Sequence, residues 1–430
     1  MREVDVRWRI SFTIAAAVML IACATAQAAT PELGLSNRLQ DRRAVTAGQR
    51  SYVQGYENGL FYANGFHITG EMGGVWTPPL KLVDGVWFGV GNDWVGPATR
   101  FFSGWGYTRY ALPPIDGLQA QRIDFAPDAN RAVLFGLKLT NPGAARTVPV
   151  KVDAHSDLMG AYPWSTTKPI SQAQNLPDHG SYDGHALVFT DDGSLSPAVA
   201  PVHHYAALVG SSQRPSSGVA AVTDGVYRGP QPNTRCAAND STSPPSQCED
   251  GPDGRGTGGE LHYDVHLPAH GSTTLWIAVA GSDLGLADAQ GQLAAALKNP
   301  AGELAAKIAQ RQRLSKLTQV SLPGDRLLQR AITWGKQNLA DLTQTASNLQ
   351  IRWTNQGTQY PSPLGTVAHA RWFGAGYPDY PWIFATDGEY TAFAAVALGQ
   401  FQTIEDHLTA LRQISDVLNH GSGIVAHETV

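Results

Sequence analysis

A large antiparallel β-sandwich followed by a helical segment is the expected architecture of this 430-residue chain, on three grounds. The first is composition. With 43% apolar and 16% charged residues the chain is a folded protein, and 45 glycines with 27 prolines imply many turns without a collagen-like or disordered bias. The second is spacing: from about residue 50 to 280 short β-type segments alternate with turn residues, as stacked antiparallel sheets require. The third is a break after Gly281, where Ala, Leu, Gln, Lys and Arg, the strong helix formers, take over. One hydrophobic core does not keep growing to this length, so two domains and a processing segment are expected.

The processing segment comes first. Arg2, Arg7 and Arg9 precede an apolar run from Ile10 to Ala24, too short to span a bilayer, and Ala26-Gln27-Ala28 supplies small residues for cleavage after Ala28. Residues 1–28 therefore read as a signal peptide, which would place the mature protein in the periplasm or outside the cell. A competing pattern, Leu20-Ile21-Ala22-Cys23, has the form of a lipobox, in which Cys23 would carry lipid and tether the protein to a membrane.

Residues 29–280 hold the strand patterns of the sandwich domain. Gly85–Gly91 and Arg131–Thr140 are strand-like runs, Tyr263–Leu267 alternates with period two, and Thr273–Ala280 reads as a buried strand. The stretch 206–260 is rich in loop residues and yields no element. Within it Cys236 and Cys248 form an even pair in an oxidising compartment, so a disulfide is expected, contributing about 3 kcal/mol in the chain-entropy picture. The nearby Asp240, Glu249, Asp250 and Asp253 fit a solvated Gly-rich loop better than a calcium site.

Residues 281–322 read as a helical linker, with helices over Leu284–Leu297 and Glu303–Leu317. Pro323-Gly324-Asp325 then opens a helix to about Leu342, placing Leu327, Leu328, Ala331, Trp334, Asn338 and Leu342 near one face of the second domain, residues 323–430. Residues 345–381 read as a long connection. Two more helices follow at Tyr390–Leu398 and Thr403–Leu418, with Gly399 and Gly421 as stop signals.

Several function classes drop out on chemistry. The net charge of −5 is spread without long runs, so nucleic acid is not an expected partner. His203-His204 lacks ligand-spaced Cys or Glu, the run Gly251–Gly259 lacks a Lys-Ser/Thr ending, and no Gly-x-Ser-x-Gly elbow occurs. No metal and no cofactor is expected. His155 and Asp157 read as a satisfied polar pair at a strand end.

The segment from Arg371 to Thr391 carries the chemistry. Trp372, Tyr377, Tyr380 and Trp382 could stack on the C–H faces of pyranoses while Asp379, Asp387 and Glu389 bind hydroxyls. An aromatic core loop explains the same rings equally well. Thr386-Asp387-Gly388-Glu389 also fits a capping box, in which Thr386 is the N-cap, Glu389 returns to its backbone and Asp387 only complements the helix dipole.

Pro381–Thr391 resembles the Trp, Phe-Gly-Arg-Asp-Ser/Thr segment of glycogen-debranching-type glucosidases and related six-hairpin glycosidases, and Gly423–Glu428 resembles their Gly-x-Ile-Pro-His-Glu segment two helices later. Gly96-Pro97, Tyr110–Pro113, Asn141-Pro142 and Ala154–Leu158 are similar to the β-sandwich that precedes the barrel in bacterial debranching-like proteins. The family's Arg before the acid is Thr386 here. The resemblance implies a glycoside hydrolase acting on an oligo- or polysaccharide, of α-glucan debranching or glucosidase type, with the first helices of an incomplete (α/α)6 barrel in residues 323–430. It further implies inverting chemistry with Asp387 as general acid, His427 and Glu428 among the sugar contacts, and a base about 6.5 to 9.5 Å away supplied from beyond this chain. The rival expectation is a non-catalytic carbohydrate-binding protein or an inactive enzyme fragment. It predicts sugar binding without turnover.

Overall fold

The computed structural model describes residues 31–62, 73–160, 175–222, 227–231, 256–353, 361–375 and 382–429. The expected signal segment, Cys23 and the Cys236–Cys248 pair lie outside them. The architecture is a β-sandwich followed by a few helices.

Two antiparallel sheets of nine and eight described strands make the sandwich. The centre of the larger runs, in spatial order, through Gln119–Phe125, Ala132–Thr140, Ser272–Ser282, His203–Gly210 and Ala186–Gly193. The smaller is built on Gly258–Leu267, Arg146–Gly160 and Leu80–Val90. The strand runs expected from sequence fall inside these elements to within one residue, and the stretch left without elements contains the end of His203–Gly210, Ser217–Ala220 and the start of Gly258–Leu267.

Strand alternation sorts the larger sheet into two packed faces. Val133, Phe135, Leu137 and Leu139 turn inward to the other sheet, with Ile277 and Val279 beside them. Ala132, Leu134, Ala206, Leu208, Ala278 and Ala280 turn outward under helix α1 (Leu286–Leu297), whose Ala289, Leu293 and Ala296 cover them. Double coverage explains the continuous apolar runs, since a strand buried on both faces needs no polar alternate. The outward face is mostly alanine, which lets the helix approach closely. Each fully buried Leu or Phe contributes about 1.5–3 kcal/mol relative to exposure.

The smaller sheet encloses a charge cluster. Lys81 donates from Nζ to Asp84 at 2.8 Å and Asp157 at 2.6 Å, and His155 Nδ1 meets the second Asp84 oxygen at 2.9 Å, with Arg228 3.8 Å from that oxygen. Burial would raise Asp84, but Lys81, His155 and Arg228 hold it below the usual carboxylate range. Asp157 is pushed up by burial and by Asp84, against the pull of Lys81. Nearby, Asp178 accepts from Ser156 Oγ and the Leu158 N–H, and burial raises it well above its ordinary value. The expected His155–Asp157 pair is thus part of a larger buried network in the middle of a strand, where two cations and two carboxylates compensate one another.

Helix α2 (Pro300–Ser315) joins sandwich and helices. Its entry is specified locally: Pro300 takes the first position and Asn299 Oδ1 accepts the Gly302 N–H at 3.1 Å. Lys307 and Arg311, one turn apart, are both buried. Lys307 Nζ donates to the Ala47 carbonyl at 2.8 Å, the Ala126 carbonyl at 2.7 Å and Asp128 at 2.8 Å, all in the sandwich. Arg311 reaches the other way, to the Gln337 carbonyl at 2.9 Å and Asp341 at 2.6 Å.

Those last two residues belong to α3 (Arg326–Asp341), capped by Asp325 as its sequence implies. Its expected apolar face is not the one that docks. Leu327 and Leu328 stay exposed, while Lys336, Gln337 and Leu339 are buried. The polar attraction decides this orientation: Arg311 holds Gln337 and Asp341, and Lys336 Nζ donates to the Ser315 carbonyl at the end of α2 and the Thr318 carbonyl just past it.

Residues 345–381, expected as a connection, contain a β-hairpin of Thr343–Ile351 and Gly365–Phe373, in register from Thr343 opposite Phe373 to Ile351 opposite Gly365. Its polar strands gave no clean alternation, and packing against α5 (Phe401–Leu418) supplies what local propensity lacks. Val367, Ala370 and Trp372 meet Leu411, Ile414 and Leu418 of that helix. Helix α4 (Ala385–Ala397) precedes α5, and Gly399 and Gly421 take the left-handed conformation at the two helix ends, with φ of 78° and 70°. Among the described residues the expected barrel opening takes the form of three helices interrupted by this hairpin, and no ring of helices is built.

Lys307→Met should lower the urea unfolding midpoint by the equivalent of about 3–5 kcal/mol, because two carbonyls and a carboxylate lose a buried donor. A loss below about 1 kcal/mol would mean that α2 is held by apolar contact alone.

Candidate active site

The site assembles where two distant stretches pair. Ile383–Phe384 runs antiparallel to Glu428–Thr429, with Ile383 opposite Thr429 and Phe384 opposite Glu428. The Ala385 N–H donates to the His427 carbonyl at 2.8 Å. That bond replaces the expected capping box. The helix begins at Ala385 behind an extended Phe384, no side chain caps it, and Thr386 lies inside its first turn. A tertiary carbonyl thus takes one of the orphan N–H groups of the first turn, that of its first residue.

Asp387 lies in the first turn of α4 and is exposed. Glu389 is exposed beside it. On the paired strand His427 is exposed with its ring edge-on to Phe384 at 6.0 Å, and Glu428 is half-buried. Two bonds tie this stretch to the end of α5: the Ala426 N–H to Ser415 Oγ at 2.9 Å, and Asn419 Nδ2 to the Ile424 carbonyl at 2.7 Å.

The expected aromatic platform is arranged differently. Trp372 and Trp382 are each only 5% exposed and belong to the core, with Trp372 Nε1 donating to the Trp382 carbonyl at 3.2 Å. Tyr377, Asp379 and Tyr380 lie outside the described residues. The open rings are Tyr390, 73% exposed, and Phe393, 74% exposed, one turn apart on α4. Their spacing of three within a helix was visible in the sequence, but the aromatic loop before it drew the assignment.

A second residue missed from sequence is His407 on α5, which is wholly buried. Its Nδ1 accepts the Phe373 N–H at 3.2 Å, and burial pulls the imidazole down to about 4. The neighbouring Asp406 pairs with Arg371 of the hairpin at 2.6 Å. A histidine on the apolar side of an amphipathic helix was the available signal.

Nothing among the described residues groups three or more His, Cys, Asp or Glu for a metal ion. His203 and His204 instead bond Asp191 and Asp192, each at 2.9 Å. A cavity of about 400 Å³ between Ser321–Pro323 and the start of α3, lined also by Arg326, Gln329 and Arg330, contains none of the expected site residues.

No protein-family model matches the sequence, and no curated protein matches it. Solved structures do. A protein from the human microbiome described as a kojibiose phosphorylase superposes with a TM-score of 0.45 at 8% identity, over 87% of this chain and 48% of its own. An inverting family GH92 mannosidase from Bacteroides thetaiotaomicron gives 0.41 at 13% identity, over 77% and 40%. A bacterial glucoamylase bound to acarbose gives 0.39 at 11% identity, over 93% and 53%. The chain thus spans about half or less of the length of these structures.

His407 predicts a pH dependence. Its pKa is lowered on folding from 6.5 to about 4, so the unfolded state binds more protons between these values. The histidine's contribution is fully present above about pH 6.5 and is lost as pH falls toward 4, on the order of 3 kcal/mol. Urea midpoints measured across that window should fall less steeply in His407→Asn than in the parent, and equal slopes would show that His407 titrates normally.

Proposed function

We propose that this protein is an exported glycoside hydrolase acting on an oligo- or polysaccharide, of α-glucan debranching or glucosidase type, with Asp387 as general acid. The observation that carries the reading is the pairing of Ile383–Phe384 with Glu428–Thr429, which joins the two stretches that resemble six-hairpin glycosidase motifs. Asp387 is an exposed titratable carboxyl in the first turn of the helix that follows this strand pair, which supports its reading as the group that protonates a glycosidic oxygen, and His427 and Glu428 follow from the resemblance as candidate sugar contacts. Tyr390 and Phe393 offer apolar ring faces on the same helix, and Glu389 a further acceptor.

In this scheme the Asp387 carboxyl gives its proton to the leaving oxygen as the anomeric C–O bond breaks, and a second carboxylate removes a proton from the attacking water. Inversion follows if water attacks directly. The base is not assigned.

The test is hydrolysis of a panel of α-glucans and aryl α-glycosides. Asp387→Asn should lower kcat by about 10²- to 10⁴-fold on substrates with poor leaving groups, and less on activated aryl glycosides that need little protonation. Saturable sugar binding without turnover in the parent would favour a carbohydrate-binding protein. Activity that survives the substitution would assign the acid elsewhere.

A further inference from the structure

His407 packs against the residue that follows Asp387. A Cβ built on Gly388 would lie 1.9 Å from His407 Nε2 and 2.2 Å from Cε1, so the imidazole fills the space that any side chain at 388 would need. Glycine within a helix is destabilising relative to alanine. Here its missing Cβ is what lets the ring reach the helix backbone.

The other side of the ring is held by the hairpin. Nδ1 accepts the Phe373 N–H, which leaves the proton of the neutral ring on Nε2, and the ring rests on that of Phe373 at 5.9 Å between centroids. Nε2 itself has no hydrogen-bond partner among the described residues. A donor left unsatisfied in the core is costly, so geometry at this contact outweighs hydrogen bonding. Asp406, bound to Arg371, fixes the same turn of α5 to the same strand. The first turn of α4 has no side-chain cap, so its direction depends on the strand pair before it and on the ring beneath Gly388.

We infer that His407 is a positioning residue: an imidazole wedge, held by the hairpin against Gly388, that sets the direction in which Asp387 presents its carboxyl. The inference rests on the reading of Asp387 as the acid. His407 does not touch substrate; it acts through the helix turn it supports.

The experiment compares the parent, His407→Ala, Asp387→Asn and the double variant on p-nitrophenyl α-D-glucopyranoside and on a soluble α-glucan. Hydrogen exchange of all four is followed by mass spectrometry. His407→Ala should lower kcat on the glucan about tenfold with KM within about twofold, and should add nothing in the Asp387→Asn background, because two residues acting as a unit are not additive. His407→Asn, which keeps an acceptor for the Phe373 N–H, should restore part of kcat. Independently of activity, amides 386–389 should exchange about tenfold faster in His407→Ala while those of 410–418 stay unchanged.

Losses that multiply in the double variant, or unchanged exchange at 386–389, overturn the inference. If no form hydrolyses either probe, the acid reading fails and exchange alone decides the positioning claim: faster exchange confined to that turn supports it, and parental exchange sinks it. If His407→Ala does not fold, Gly388→Ala crowds the contact from the opposite side and carries the same expectations for kcat and exchange.

Discussion

Two buried cations one helical turn apart, Lys307 and Arg311, orient everything that follows the sandwich. Lys307 is gripped by two sandwich carbonyls and Asp128, and Arg311 grips α3. Desolvating a lysine or an arginine is expensive, and only near-complete satisfaction of its donors makes the burial tolerable. Gly106, in a left-handed conformation with φ of 81°, makes room for Lys307, since a Cβ there would fall 2.8 Å from the lysine chain. Polar contacts of this kind have direction, unlike apolar ones, and so fix orientation as well as proximity. The hairpin adds a further tie, from the Thr345 N–H to the Gln49 carbonyl at 2.9 Å.

From that anchor the contacts run on from element to element. α3 docks on α2 by its polar side, Leu339 then meets Phe373, Ala395 and Ile404, and the hairpin lies on α5. Asp387 is reached only at the end of this chain of contacts, through the pairing of Phe384 with Glu428 and the seat of Gly388 on His407. A carboxyl placed this way depends on residues from the hairpin, α5 and the stretch after it. Substitutions far from residue 387 can therefore move it.

The sandwich contributes a different kind of order. Its two inner faces close on apolar residues, while Lys81, Asp84, His155, Asp157 and Arg228 are compensated within a sheet that excludes water. Such a network adds little net stability compared with apolar packing, but it disfavours any register that would strand one of its charges. The irregular pairing at His155–Met159 falls in the same strand segment, where regular alternation is interrupted.

What could be read from residues alone was whatever depends on near neighbours. The strand runs, the position of the break at Gly281, the Asp325 cap, the stops at Gly399 and Gly421, and the helices of the last third follow from turn chemistry, capping and period, all of which act over a few residues. The hairpin, the exposure of Leu327 and Leu328, the burial of Trp372 and Trp382, and the start of α4 at Ala385 do not, because each is settled by a partner far along the chain. Thr386 is a competent N-cap by local chemistry, yet the His427 carbonyl reaches Ala385 first. Asp387 could be proposed from a motif; the seating of its helix turn, with Ala385 on the His427 carbonyl and Gly388 on His407, was decided by tertiary structure, since only folding brings a carbonyl and an imidazole from after α4 back to its first turn.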